Sequence, residues 1–283
     1  MSAARVFGWT ALAMLAFAAN SVLNRMAVGG GGMDPLAFAA VRVVAGAVVL
    51  AALVGVRGGV VWQGARGRGA GVFGLVVYLV GFSMAYLALG AGVGALILFG
   101  SVQVTMFGGA LLSGEAVPGR RWLGAGLAFA GLVWLVAPGG AEVPLAGALA
   151  MGCAGFGWGV YSLAGRGATD ALAATAWNFV LAVPVMLGIA LVWGGMRMEA
   201  QGIWLAVLSG AVTSGLGYAL WYAVLPALGA ARAAVAQLTV PVLAALGGAA
   251  VMGEGVGWRF WAATAVILGG VAIASVQSGL TRR

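Results

Sequence analysis

The sequence predicts an all-α integral membrane protein whose ten transmembrane helices form two inverted five-helix repeats. Three observations lead there. The 283 residues are 63% hydrophobic and 7% charged, whereas soluble domains are roughly half apolar and a quarter charged. The apolar runs are continuous over about 20 residues, as helices crossing ~30 Å of hydrocarbon require, and do not alternate at period two like the strands of a membrane barrel. The second half of the chain also repeats the first.

Breaks at charged, glycine-rich or proline-bearing stretches give spans at 6–27, 35–56, 69–90, 93–113, 119–137, 145–165, 171–193, 201–225, 229–252 and 258–276. The first follows Arg5 and carries Ala16-Phe17-Ala18, a pattern shared with cleavable signal peptides. Its uncharged run continues to Asn24 and the repeat needs this helix, so it is read as a retained span. The second holds Arg42 about two turns in. From Gly69 to Gly114 no residue is charged, and one helix of that length would far overrun the bilayer. The chain therefore folds back at Gly90-Ala91-Gly92-Val93-Gly94, separating the third span from the fourth. The later spans leave connections too short for an extramembrane domain.

An offset of 139 carries Gly114, Glu115, Val117, Arg120, Trp122 and Gly131 onto Gly253, Glu254, Val256, Arg259, Trp261 and Gly270. An offset of 136 carries Asp34, Leu36, Gly74, Gly81 and Tyr86 onto Asp170, Leu172, Gly210, Gly217 and Tyr222. The repeats are expected at 1–140 and 141–283. Five helices per repeat is an odd number, so the second enters the membrane in the opposite sense. With the N-terminus inside, the inner segments hold Arg5, Arg57, Arg66, Arg68, Arg120, Arg121, Arg166, Arg232, Arg282 and Arg283, and the outer ones only Arg25, Arg197 and Arg259. That bias places both termini in the cytoplasm. Glu115 with Arg120, and Glu254 with Arg259, then form two charged pairs at opposite faces, either braces of a hairpin or latches of a gate.

Several function classes are excluded. There is no histidine and a single cysteine, Cys153, which removes His-based catalysis, an intramolecular disulfide and His- or Cys-built metal sites. No cofactor is expected. No basic cluster exceeds the pairs Arg120-Arg121 and Arg282-Arg283, so the net charge of +8 serves orientation rather than nucleic acid. A membrane enzyme would need acids, histidines or a metal set converging in mid-span, and none is visible. The expected partners are the lipid bilayer and a small-molecule substrate, with the chain a monomer or weak dimer.

Two five-helix repeats, a Gly-Glu pair closing the fourth helix of each, Asp34-Pro35 before Arg42, and Pro241 thirteen residues before Glu254 resemble the ten-helix EamA-type transporters of the drug/metabolite transporter superfamily. The resemblance covers the whole chain, although Val102 stands in the first repeat where Pro241 stands in the second. It implies an exporter in the bacterial cytoplasmic (inner) membrane, with a substrate cavity between its halves. Its cargo would be amino acids, other metabolites or drugs.

A cavity requires polar and aromatic groups in mid-span, where lipid-facing positions favour aliphatics. Tyr78, Phe82, Ser83 and Tyr86 form one stripe, and Ser214, Tyr218, Trp221 and Tyr222 another, at helical spacing. Trp158 and Tyr161 make a third aromatic edge, and Trp177 sits deep on the seventh span. Seven other tryptophans near span ends, Trp9, Trp62, Trp122, Trp193, Trp204, Trp258 and Trp261, read as an interfacial belt. The amides Asn20, Asn24, Gln103, Asn178 and Gln237 are either interhelical glue worth about 1 kcal/mol each or ligands for a zwitterionic head group. Arg42 either snorkels or binds a carboxylate, with Asn178 at its equivalent place. Neutral, ring-bearing cavity candidates favour aromatic amino acids, as in the aromatic amino-acid exporters of that family; a carrier of other metabolites or lipophilic drugs is the alternative, and a channel a further one. All six acids, Asp34, Glu115, Glu142, Asp170, Glu199 and Glu254, fall near span ends. Proton-driven carriers titrate a buried acid or histidine, so facilitated movement by alternating access is expected.

Overall fold

A computed structural model describes residues 2–58, 67–114, 117–137, 143–166, 168–195 and 197–275, and the side chains of all of these except 229–235 and 275. Expectations resting on Trp62, Arg66, Glu115, Glu142, Arg282 and Arg283, and on the side chain of Arg232, lie outside the described residues. In chain order the helices are α1 (Ala3–Asn24), α2 (Pro35–Val56), α3 (Arg68–Ala85), α4 (Ala91–Leu112), α5 (Gly119–Val136) and α6 (Leu145–Gly165), then α7 (Ala171–Trp193), α8 (Ala200–Leu208), α9 (Gly217–Gln237), α10 (Thr239–Met252) and α11 (Trp258–Ser275). A π-helical turn at Arg25–Gly29 extends α1, and a second at Ser209–Leu216 joins α8 to α9. Among the described residues there is no strand, only an isolated bridge between Met33 and Met198.

The expected break near residue 226 is not an interruption of α9, which runs through Pro226. The chain nevertheless turns back before Gln237. Thr213 and Gln237 line one cavity, whereas a straight helix would set them ~36 Å apart. Trp221 and Val224 also share a core cluster with Val240 and Ala244.

Among the described residues six helical stretches are long and apolar enough to cross a membrane, and two shorter apolar helices, Thr239–Met252 and Trp258–Ala274, accompany them. The outer surface carries large apolar side chains, with Leu112 93% and Leu191 86% exposed, as lipid contact allows and water does not. Trp122, Trp193, Trp204, Trp258 and Trp261 are all exposed at helix ends.

Repeated sequence gives repeated local structure. Asp34 accepts from the amides of Leu36 and Ala37 at the start of α2. Asp170 accepts from those of Leu172 and Ala173 at the start of α7. Both carboxylates satisfy amides that lack an intrahelical partner. Gly114 and Gly253 follow α4 and α10 with φ of 69° and 67°, the left-handed turn that ends helices and favours glycine. Helix pairing is reciprocal: α2 packs on α7, α4 on α10 and α5 on α11, while α6 lies against α3 and α4 as α1 lies against α9 and α10. At the α3–α6 crossing a Cβ on Gly74 would sit 2.6 Å from the Gly157 carbonyl oxygen, and one on Gly157 2.6 Å from that of Gly74. Such contact requires two glycines.

Candidate substrate-binding cavity

Polar side chains from four elements meet between α1, α2, α3 and the Ser209–Leu216 turn. Asn20 donates from Nδ2 to the Tyr78 hydroxyl at 3.3 Å, and its Oδ1 accepts from Ser209 Oγ at 2.5 Å, with Thr213 Oγ1 3.2 Å away. Arg42, with no exposed surface, donates from Nη2 to the Tyr78 oxygen at 2.8 Å and from Nε to Ser214 Oγ at 3.2 Å. Its guanidinium carbon lies 5.1 Å from the Tyr78 ring centroid and 5.0 Å from that of Phe82, within cation–π range. Arg42 is fully buried and does not snorkel.

The π-helical turn has a local cause. Thr213 Oγ1 donates back to the Ser209 carbonyl at 2.8 Å, competing with the helix ladder, and Gly210 and Gly215 lower its stiffness. Widening the turn brings Ser209, Thr213 and Ser214 into one buried patch. Short π segments recur at functional sites.

Aromatic rings surround this polar centre. Tyr78 lies 5.1 Å from Phe82 and 5.0 Å from Trp158; Trp158 continues to Tyr218 at 5.4 Å and stacks on Tyr161 at 5.1 Å. Phe17 meets Tyr218 edge-on at 5.7 Å. Between them is a cavity lined by Phe17, Asn20 and Ser21 of α1, Tyr78 and Phe82 of α3, and Leu98 and Phe99 of α4. Trp158, Thr213, Tyr218 and Gln237 close the other side. It holds about 30 Å³ of water-sized space, enough for about two waters and too little for an amino acid.

At one end of the bundle the Glu254 carboxylate accepts from Arg25 Nε at 2.9 Å and from the Ala91 amide at 2.8 Å. Arg25 also donates to the Tyr86 and Leu87 carbonyls. The expected pairing of Glu254 with Arg259 is therefore corrected. Arg259 lies over the Trp134 ring and donates to the Trp134 and Ala137 carbonyls at the end of α5. A carboxylate at the start of one helix and a guanidinium at the end of another each meet the favourable pole of a helix dipole, which outweighs the pairing suggested by five residues of separation.

The sequence profile of the EamA-like transporter family matches residues 145–276. Uncharacterized protein PA1977 of Pseudomonas aeruginosa is 47% identical over 265 residues, covering 93% of this chain and 92% of that protein. The chain carries an EamA-like transporter domain over residues 145–276. It is a multi-pass membrane transporter. A solved crystal structure aligns with a TM-score of 0.67 over 95% of this chain and 98% of its own, at 22% identity, a likeness of fold.

Of the residues singled out from sequence, the transporter brings Asn20, Tyr78, Phe82, Trp158, Tyr218 and Gln237 to the cavity wall. Arg42 and Ser214 stand one layer behind, as do Asn24 and Ser83, joined by a 3.0 Å bond from Asn24 Nδ2 to Ser83 Oγ. Tyr161 and Tyr222 meet through Thr175, at 2.8 and 3.1 Å, beside the cavity. Trp221 is buried against Phe17. Gln103 and Trp177 are half-buried and do not line the cavity. Asn178 is a helix tie: its Oδ1 accepts from Arg68 Nη1 at 2.9 Å, in space left by Gly71. Glu115 lies outside the described residues, so Arg120 cannot be placed against it.

Sequence reasoning missed Ser21, Phe99, Ser209 and Thr213 in the wall and its support, and Arg25 as the partner of Glu254. Ser209 and Thr213 carried a signal, hydroxyls four apart beside Ser214 in an apolar helix. Arg25 carried none.

Proposed function

We propose that this transporter is an inner-membrane exporter of small amphipathic metabolites, neutral and aromatic amino acids foremost. It works by alternating access of two inverted five-helix halves, meeting near residue 140, with both termini in the cytoplasm. The observation that carries this reading is the make-up of the cavity wall. Helices α1, α3 and α4 supply one side and α6, the Ser209–Leu216 turn and α9 the other, meeting at stacked and edge-on rings. Rings with neutral polar groups between them suit a flat, apolar body with a small polar head. The reciprocal pairing of α2 with α7, α4 with α10 and α5 with α11 supports an inverted two-fold relation between the halves.

The walls must part to admit such a molecule, since about 30 Å³ is too small to hold it. The Arg25–Glu254 pair ties together the ends of α1 and α10 and the start of α4 and is the natural latch of one opening. Among the described residues every acid is engaged at a helix end, which supports facilitated movement without a proton.

The test is flux of labelled phenylalanine and tryptophan into liposomes holding the purified protein, with and without a pH gradient. Saturable, stereoselective flux that persists without the gradient is expected. Strict dependence on the gradient overturns facilitated movement, and absence of flux for every amino acid overturns the cargo.

A further inference from the structure

We infer that the cavity recognises its substrate by a carboxylate carried on an aromatic body, and that Arg42 sets this preference through the hydroxyl of Tyr78. The inference rests on the exporter reading above and narrows its substrate class.

Arg42 is a fully buried cation without a counter-ion among the described residues. Their four acids are all committed elsewhere: Asp34 and Asp170 cap α2 and α7, Glu199 accepts from Arg197, and Glu254 accepts from Arg25. Burying an uncompensated charge is costly, and ring faces and two hydroxyls offset only part of that cost. Arg42 Nη1 is buried and has no hydrogen-bond partner, a donor still waiting for an acceptor.

Tyr78 relays this charge to the cavity it lines. Its hydroxyl oxygen accepts from Arg42 Nη2 at 2.8 Å and from Asn20 Nδ2 at 3.3 Å. A phenol oxygen accepts two such bonds and donates one. With both acceptor positions taken, the hydroxyl hydrogen is what Tyr78 has left to offer, and the guanidinium strengthens it as a donor. The site therefore has a positive charge one layer behind its wall, the Tyr78 donor in that wall, and rings at Phe17, Phe82, Phe99, Trp158 and Tyr218. An aromatic carboxylate supplies what is missing. Among the described residues no acid lines the cavity, so an ammonium group meets only neutral acceptors and the repulsion of Arg42. Arg42 is thus a positioning residue, and Tyr78 makes the direct contact.

Three molecules with the same ring and different heads test this: 3-phenylpropionate, phenylalanine and phenethylamine. Binding is measured to the full-length protein in nanodiscs, and flux in liposomes. Phenylpropionate and phenylalanine are expected to bind at least about tenfold more tightly than phenethylamine, the scale of one charge-assisted hydrogen bond. Arg42→Gln is expected to bring that ratio close to one, with Arg42→Lys between, whereas a purely structural role would weaken all three ligands alike. If Arg42 variants do not fold, the wild-type series still decides the head group, and Tyr78→Phe, expected to lower the carboxylate-to-ammonium ratio about tenfold, tests the route. Tighter or equal binding of phenethylamine overturns the carboxylate inference and leaves the exporter standing. Folded protein that moves none of the three, nor any other amino acid, overturns both.

Discussion

Glu254 holds Arg25 and Ala91 at once, one carboxylate oxygen to each, at 2.9 and 2.8 Å. Gly248 and Gly90 make room for it, since a Cβ on either would lie 2.6 or 3.1 Å from Oε2. Glu254→Gln keeps a cap for α4 and loses the ion pair. Both side chains are about a fifth exposed, so the expected loss of stability is modest, ~0.5–1 kcal/mol. A latch and a brace differ in access to the cavity. With Cys153→Ala to remove the exposed native thiol, a Ser21→Cys probe in the wall should react several-fold faster with an impermeant maleimide once Glu254 is Gln. An unchanged labelling rate would leave the pair as a brace alone.

Arg259, at the other end of the same motif, predicts the opposite behaviour. It is 8% exposed and ties α11 to the last carbonyls of α5. Arg259→Gln should lower stability by ~1–3 kcal/mol, the cost of leaving buried acceptors unpaired. Affinity and flux per folded molecule should be unchanged. A lowered affinity with normal thermal stability would link this contact to the site.

The different fates of these two residues show what was legible in the sequence. Asp34 and Asp170 could be matched because each acts on amides two and three residues away, so local sequence contains the whole interaction. Gly114 and Gly253 are legible for the same reason. The tyrosine stripes were found because helical period fixes which side chains share a face. The partner of Glu254 was not legible, because Arg25 is 229 residues away and only the assembled bundle brings them together. Asn20 and Asn178 are both mid-span amides, yet one lines the cavity and the other ties Arg68. Their helices are apolar nearly all round, so which face an amide presents is set by packing and not by a polar stripe.

Trp158 touches Tyr78, Tyr161 and Tyr218 and so joins the rings of α3, α6 and α9. Trp158→Ala should reduce kcat/KM for aromatic amino acids by about tenfold or more, since aromatic pairs contribute ~0.5–1.5 kcal/mol each. Trp158→Phe should recover most of it. Tyr222→Ala should have a smaller effect, because Tyr222 reaches the rings only through Thr175. Equal kinetics in all three variants, with folded protein verified by size-exclusion chromatography, would remove this cluster from the substrate path.

The α3–α6 crossing makes a last prediction about how the cavity is held. Gly74 and Gly157 face each other across it, and each would place a Cβ 2.6 Å from the other's carbonyl oxygen. Backbone lies on both sides, so neither can yield by rotating a side chain. Tyr78 follows Gly74 by one helical turn and Trp158 follows Gly157 directly, and the two rings meet at 5.0 Å. Gly74→Ala must push α3 from α6 and separate those rings. A stability loss above about 2 kcal/mol is expected, in the range of overpacked cores, with aromatic ligand affinity falling in whatever protein folds. Gly126→Ala on exposed α5, where an added Cβ meets nothing within 4 Å, serves as the control. It should be neutral or stabilising by up to ~1 kcal/mol, because alanine loses less backbone freedom in a helix. Equal thermal stability for the two variants would mean that the crossing is not set by its glycines.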